Sequence, residues 1–484
     1  MKKLFQLYFI MNLISLFSIN TAFYLTEEKK KHLVEMIESQ IKLAKLHTFG
    51  LIITNKEETI FQNVFSENKQ AANNTPFIIG SVSKSFTALA VLKSGIDLNK
   101  KLVEFDLSDY IKEEEAKKIT VSELLNHTSG LESFGFHVIE ENKGKYHYSN
   151  YGYALLGKRL EKENNKKEYK DILKELIFSP LEMNNTNAEY RKNIIESYDN
   201  FFGFSTKYGG LKSEIGDGFL IPAGFISTTI EDMGKYLRYY LNTNSDDYKK
   251  YISQMIESNL SIGFNEYYGI GLFIGEKNGT KAIHHAGGTN SFRSHLYFYP
   301  ELDLGFFVIT NTKDLLCSTP SDELFENIEN FLLFYNHKGI NSNLFFYIHF
   351  TYDILMIIVI SISLCYLIIT VVRKLKKKKF TWFNGAKGII VFIVDTLFLI
   401  VLPLVIIIIL YASSADLRYI VSSTKDILFV LFTTSSILFL TFIIKLSYIF
   451  IYNKYLIINP EKRDSKKMEL NDLDYNKEED NIND

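Results

Sequence analysis

Apolar positions are distributed very unevenly along the 484-residue chain, and their spacing alone divides it into zones. Residues 1–22 carry Lys2 and Lys3, then the run LFQLYFIMNLISLFSI, then the small-residue end NTA. That layout predicts a secretory signal peptide over 1–22; the alternative, an uncleaved anchor, would want a run of roughly 20 residues. Between residue 23 and about residue 340 the period changes repeatedly. TEEKKKHLVEMIESQIKLAKL puts Leu33, Met36, Ile37, Ile41 and Leu43 near one face of a helix. TFGLIITNKEETIFQNVFS reads as two strands about the polar turn NKEE. Near the other end, YYGIGLFIG, SHLYFYP and LGFFVITN read as strands separated by EKNGTK and PELD turns. Strands at both ends with helical segments between them predict an α+β, two-lobed fold: one antiparallel sheet built from the N- and C-terminal strands, with a helical lobe inserted.

Three later apolar segments, at 354–372, 388–411 and 427–452, are each long enough to cross a bilayer, so 341–459 is expected to be a three-helix transmembrane region. RKLKKKK, residues 373–379, lies between the first two, whereas the second loop sets Arg418 and Lys425 against Asp416 and Asp426. The excess of positive charge places the first loop in the cytoplasm and the 23–340 domain outside, a multi-pass arrangement in the cell membrane. Asp395 and Lys445 fall at similar depth in the second and third segments, roughly 10 Å inside the boundary at helical rise. Such charges are costly unless paired or reaching the headgroups, so the expectations are an Asp395–Lys445 pair or two residues acting alone. A paired bundle would be able to dock a membrane-protein partner as well as anchor the chain in lipid. The tail at 460–484 is rich in charge and poor in large apolar residues, which predicts a disordered cytoplasmic segment.

Charge and cysteine content narrow the classes. A formal charge of -2 and a basic run abutting a membrane span argue against nucleic acid as a partner. Cys317 and Cys365 are the only cysteines, one in the exported region and one in a span, so the fold rests on its core rather than on a disulfide. No Cys cluster or His-Glu-any-any-His run points to zinc, and no metal or cofactor is expected.

FIIGSVSKSFTAL, residues 77–89, pairs Ser81 with Lys84 behind Gly80 at the start of a helical run. The spacing recurs at Ser39 and Lys42, Ser66 and Lys69, and Ser422 and Lys425, so by itself it is equally a helix cap. Two other segments change its weight. HYSNYGYALLG brings Tyr148 and Asn150 together ahead of a helix, and IHHAGGTNSFRSHLYFYP sets His285, Ala286, Gly287 and Gly288 ahead of a strand. With LLNHTSGL at 124–131, FSPLEMNNT at 178–186, PAGFIST at 222–228 and YPELDLGFFVITN at 299–311, the chain resembles the serine β-lactamase and penicillin-recognising DD-peptidase superfamily, in the branch of class C β-lactamases, D-aminopeptidases and related esterases.

That resemblance covers roughly residues 27–335 and implies a serine hydrolase. It makes Ser81 the acyl-accepting nucleophile, Lys84 its proton acceptor and Tyr148 a proton relay to the leaving group. Asn150 is expected to hydrogen-bond the substrate's acyl-side amide or the lysine. His285, Gly287 and Gly288 would line the substrate-binding strand, with the N–H groups of Ser81 and Gly288 holding the oxyanion. For Lys84 to act as a base near neutral pH its pKa must fall from about 10.4, through burial and neighbouring positive charge. His285 stands where many relatives carry lysine, and Ala286 removes a hydroxyl, which weakens recognition of a substrate carboxylate. Phe225 replaces a usual glycine and is expected to reshape a wall of the site, while the short step from HTSGL to Tyr148 suggests a missing cover loop. His127, Ser129 and His284 read as structural. The expected substrate is a small cell-envelope D-amino-acid peptide or ester; the alternatives are a β-lactamase and a noncatalytic penicillin-binding sensor.

Overall fold

The computed structural model describes residues 23–376 except 67–70, 165–166, 202–203, 258–259, 314–319 and 337–341, and beyond 376 scattered positions followed by 425–458. The expected signal peptide, the basic run after Lys376 and the charged tail lie outside the described residues. Two compact units divide at residues 348 and 349.

Helix α1, Glu27–Leu43, begins at Thr26, whose side chain accepts from the Lys29 N–H, with Glu27 and Glu28 in the first turn. It buries Leu33, Met36, Ile37 and Gln40. Leu43, expected on that face, is 54% exposed; the helix turns Gln40 inward instead, where its Oε1 accepts from Asn327 Nδ2 at 3.1 Å. Strands β1, Thr48–Thr54, and β2, Thr59–Ser66, form the expected hairpin. Next come the short strand β3, Phe77–Ile78, helix α2, Ser83–Lys93, helix α3, Val121–Leu125, and helix α4, Asn150–Glu163. A hairpin of β4, Tyr198–Phe201, and β5, Phe204–Lys207, precedes the short helix α5, Ile221–Gly224, strand β6, Ser227–Thr228, and helix α6, Ile230–Leu241.

The C-terminal strands are β7, Ser261–Gly263; β8, Glu266–Tyr268; β9, Phe273–Lys277; β10, Thr280–Gly288; β11, Arg293–Tyr299; and β12, Leu304–Thr310. YYGIGLFIG is thus two strands rather than one. Gly271, between them, has φ +75° and lies so close to α2 that a Cβ would meet Ala88 Cβ at 2.7 Å. The main sheet runs β2-β1-β12-β11-β10-β9-β8-β7, antiparallel throughout. Pairing of Phe49 with Thr310 through Thr54 with Gly305 closes it from the two ends of the domain, as the strand pattern predicts.

Period-two alternation sends the sheet's apolar residues to two cores. Phe49, Leu51 and Ile53 with Phe306 and Val308 pack with residues of α1 and of α7, Pro320–Phe334. Ile52, Phe307 and Ile309 join the larger core shared with α2, α4 and α6. Ser83 through Val91 of α2 are all buried, which makes α2 the central helix of the domain. Helices thus cover both faces of the antiparallel sheet, and those on the larger-core side, α2 and α4, position the site described below.

Helices α8, Ser342–Leu375, and α9, Lys425–Ile458, hold two stretches long and apolar enough to cross a membrane, Asp353–Leu375 and Leu428–Ser447, both in the second unit. Among the described residues these are two such helices, matching the first and third of the expected segments; the second, 388–411, falls largely outside the described residues. Asp395 lies outside them too. Lys445 donates to the Tyr366 hydroxyl at 2.5 Å, and Lys374 to Ser447 Oγ at 2.9 Å, so α8 and α9 share a polar seam.

Candidate active site

Ser81 lies in a single tight turn, Gly80–Val82, immediately before α2. It is not the helix cap that its spacing also allowed: the capping position is Val82, and no side chain caps the first turn. Gly80 makes the turn possible. Its φ is +55°, and a Cβ there would stand 2.2 Å from the Gly288 nitrogen. Gly287 is equally constrained, since its Cβ would meet the Ile79 carbonyl oxygen at 2.0 Å. The Gly-Gly end of β10 therefore runs directly against the turn that carries Ser81, and Ser294 Oγ on β11 fixes it by donating to Ile79 O at 2.8 Å.

Lys84, the second residue of α2 and three positions beyond Ser81, is fully buried. Its Nζ lies 3.1 Å from Ser81 Oγ, 2.8 Å from Asn150 Oδ1 and 2.6 Å from the Ala223 carbonyl oxygen. Burial holds its pKa well below the usual lysine range, and burial is the whole cause: no neighbouring cation contributes. The rings of Tyr148 and Tyr153 lie with centroids 4.7 Å and 5.6 Å from Nζ. Ala223 belongs to PAGFIST, which is stitched along α2: Thr87 donates to Pro222 O at 2.7 Å, and Ile226 N to Ser83 Oγ at 3.1 Å. Phe225 turns its side chain into the main core.

Tyr148 and Asn150 are set by the start of α4. Ser149 caps that helix, accepting from Gly152 N at 2.9 Å while donating to Glu132 O at 2.7 Å. Asn150 N and Tyr151 N both donate to Ser133 O. Burial raises the Tyr148 phenol far above the ordinary tyrosine value and outweighs the lowering effect of the Ser81 hydroxyl, so it stays protonated. Ser81, Lys84, Tyr148 and Asn150, predicted from four positions in two segments, thus meet in one place.

His285 is brought to the same strand but not as a cation. Its Nδ1 donates to Ala286 O at 2.7 Å, and its Nε2 lies 3.4 Å from the Tyr268 hydroxyl. It is 1% exposed, and burial, with the Lys84 charge second, holds its pKa down to about 3. His284 points to the opposite face, between Glu266 and His295. Among the described residues no group of three or more His, Cys, Asp or Glu is placed to hold a metal.

A family model described as Beta-lactamase matches residues 36–324, more than half of the chain. The chain belongs to the beta-lactamase family. Beta-lactamase-like protein 4 of Dictyostelium discoideum is 27% identical over 256 residues, 44% of this chain and 45% of that protein. Protein flp of Staphylococcus aureus strain MRSA252 is 23% identical over 330 residues, 59% of this chain and 64% of its own length. The chain thus spans less than two thirds of either relative. The octameric penicillin-binding protein homologue from Pyrococcus abyssi superposes with a TM-score of 0.52 at 23% identity, over 63% of this chain and 77% of that one, a likeness of fold.

Within this beta-lactamase family domain, three contributors escaped the sequence. Ala223 acts through its carbonyl, which no side-chain motif reports. Tyr153 and Tyr268 are two of 30 tyrosines and carry no local signal. His127 did stand inside a recognisable signature, and the structure sets its ring 4.3 Å from that of Tyr148.

Proposed function

We propose that the chain is a membrane-anchored serine hydrolase that forms an acyl-enzyme on Ser81. The single observation carrying this is the environment of Lys84 Nζ. A neutral amine has two N–H bonds and one lone pair. Asn150 Oδ1 and Ala223 O can only accept, so they take the two N–H bonds, which leaves the lone pair facing Ser81 Oγ at 3.1 Å. A desolvated, deprotonated lysine in that geometry is a general base aimed at the serine proton.

Acylation then runs in two steps. Ser81 Oγ bonds to the substrate carbonyl carbon as its proton passes to Lys84, and the carbonyl oxygen, now negative, is held by the N–H groups of Ser81 and Gly288. Each preorganised donor of that kind is worth about 2.7–4 kcal/mol. The bond to the leaving group breaks as the proton returns from Lys84, 4.7 Å from the Tyr148 ring centroid, through the Tyr148 hydroxyl to the departing atom. Water repeats the sequence in reverse to free Ser81.

The substrate class is a D-amino-acid peptide or ester of the cell envelope. His285, neutral and bonded within the protein, offers a substrate carboxylate no positive charge. This favours substrates of the D-aminopeptidase or esterase type over β-lactams. The two apolar helices supply the anchor, and the basic run after the first sets the hydrolase domain on the outer side. Incubation of the full-length protein in detergent with D-alanyl esters and with penicillin separates the readings. Ester turnover with a transient adduct on Ser81 is expected; penicillin turnover would make it a β-lactamase, and a stable penicillin adduct without ester turnover a sensor.

A further inference from the structure

His127 combines two unfavourable features. Its backbone is left-handed, φ +57°, which among non-glycine residues is tolerated mainly by Asn, Asp and His. Its imidazole is fully buried, yet Nε2 has no hydrogen-bond partner, and such buried orphan groups are rare and call for an explanation. What the residue does with this conformation is hold the segment 147–149 from three directions. The His127 carbonyl accepts from His147 N at 2.8 Å. Nδ1 accepts from Ser149 N at 3.1 Å. The ring lies against the Tyr148 ring, centroids 4.3 Å apart. Both neighbours of Tyr148 are therefore bonded to His127, and Tyr148 itself rests on it. The other faces of the imidazole meet Tyr153 and Tyr268 at 5.1 Å and 4.8 Å, so the clamp is backed by packed rings. Ser129, three residues on in chain terms from Asn126, only closes its own turn by accepting from Leu131 N.

We propose that His127 is a positioning residue for Tyr148, setting the phenol against Ser81 for proton delivery to the leaving group. This rests on reading the chain as a serine hydrolase with Tyr148 as its relay. His127 does not touch the reacting atoms; its effect passes through Tyr148.

Two variants separate its contacts. His127→Asn keeps an acceptor for Ser149 N and tolerates the left-handed backbone, but removes the ring. His127→Phe keeps a ring and removes the acceptor. In full-length protein in detergent, with melting temperature followed in parallel, each is combined with Tyr148→Phe and assayed on a D-alanyl alkyl ester. We expect His127→Asn to lower kcat about a hundredfold, the scale of a small misplacement of a catalytic group. KM should stay within about twofold, as for a contact that acts in the transition state. In the Tyr148→Phe background the same change should cost nothing further. An equal loss in both backgrounds, or a change confined to KM, overturns the proposal.

A second readout does not need turnover. In protein labelled with tyrosine 13C at Cζ, the Tyr148 resonance, identified by its absence in Tyr148→Phe, should move in both His127 variants and stay in Ser129→Ala. An unmoved resonance overturns the positioning role whether or not the protein hydrolyses an ester. Failure of the wild type to acylate overturns the hydrolase reading instead, and leaves the resonance to decide the contact.

Discussion

Asn150 Oδ1 accepts a hydrogen bond from Lys84 Nζ at 2.8 Å, which ties the start of α4 to the base on α2 across 66 positions of sequence. A neutral amide oxygen there sets no opposite charge against Lys84, whose pKa burial holds well below the usual lysine range. Asn150→Asp would place an anion at the same distance, and a nearby opposite charge favours the charged form of lysine. The Lys84 pKa then rises, the base is occupied by a proton at neutral pH, and the acid-side, rising limb of the acylation profile moves to higher pH. A rate-against-pH curve of the variant that superposes on the wild type would show that Asn150 does not control the base.

Tyr148 should matter in proportion to how badly the leaving group needs a proton. Tyr148→Phe is expected to acylate normally with p-nitrophenyl esters, whose phenolate leaves unaided, and to lose about 10²-fold or more with alkyl esters or anilides, the usual contribution of a general acid. Comparing the two substrates on one variant gives the answer. Equal losses on both would assign Tyr148 to another step.

Gly80 is required by backbone conformation and by space together. Gly80→Ala puts a methyl at φ +55° and 2.2 Å from the Gly288 nitrogen. The left-handed backbone alone costs roughly 1–3 kcal/mol, and the collision pushes β10 away from Ser81. A lowered melting temperature with loss of Ser81 acylation is the expected pair of results. Full activity would mean that the turn and strand do not need to approach this closely.

Acid should destabilise the domain through its buried imidazoles. The folded-state pKa of His285 is depressed from 6.5 to about 3, so between those values the unfolded chain binds a proton that the folded chain refuses. The stability this group supports is complete above about pH 6.5 and is lost as pH falls towards 3, at up to about 1.4 kcal/mol per pH unit. His285→Asn removes that slope, and denaturant melts across pH 3–7 measure it. Parallel curves for the two proteins would contradict the assignment. His127, also depressed by burial and by Lys84, adds to the wild-type slope in the same direction.

The sequence made the sheet and the inserted helical lobe legible through period-two and helical runs, and the Ser81, Lys84, Tyr148 and Asn150 constellation through several motifs in the order of the family they resemble. What it hid is physical in origin. Alternation cannot say that β8 and β9 part at Gly269–Gly271, because that break comes from the approach of α2 at Ala88. Leu43 looked as apolar as Ile41, and only the partner Asn327 explains why Gln40 is the inward residue. Lysine depression was expected from burial and positive neighbours, and burial alone accounts for it. His285 was readable as a weaker cation; that both its ring nitrogens are engaged by Ala286 and Tyr268 depends on contacts no motif encodes.

The central claim is that Ser81 is an activated nucleophile. Intact-mass spectrometry of the full-length protein in detergent after exposure to a fluorophosphonate tests it most directly. One phosphonyl increment is predicted on the wild type, mapping by peptide digestion to Ser81, sharply reduced in Lys84→Ala and absent in Ser81→Ala. A wild type that takes no label, or an increment that survives Ser81→Ala, would contradict it.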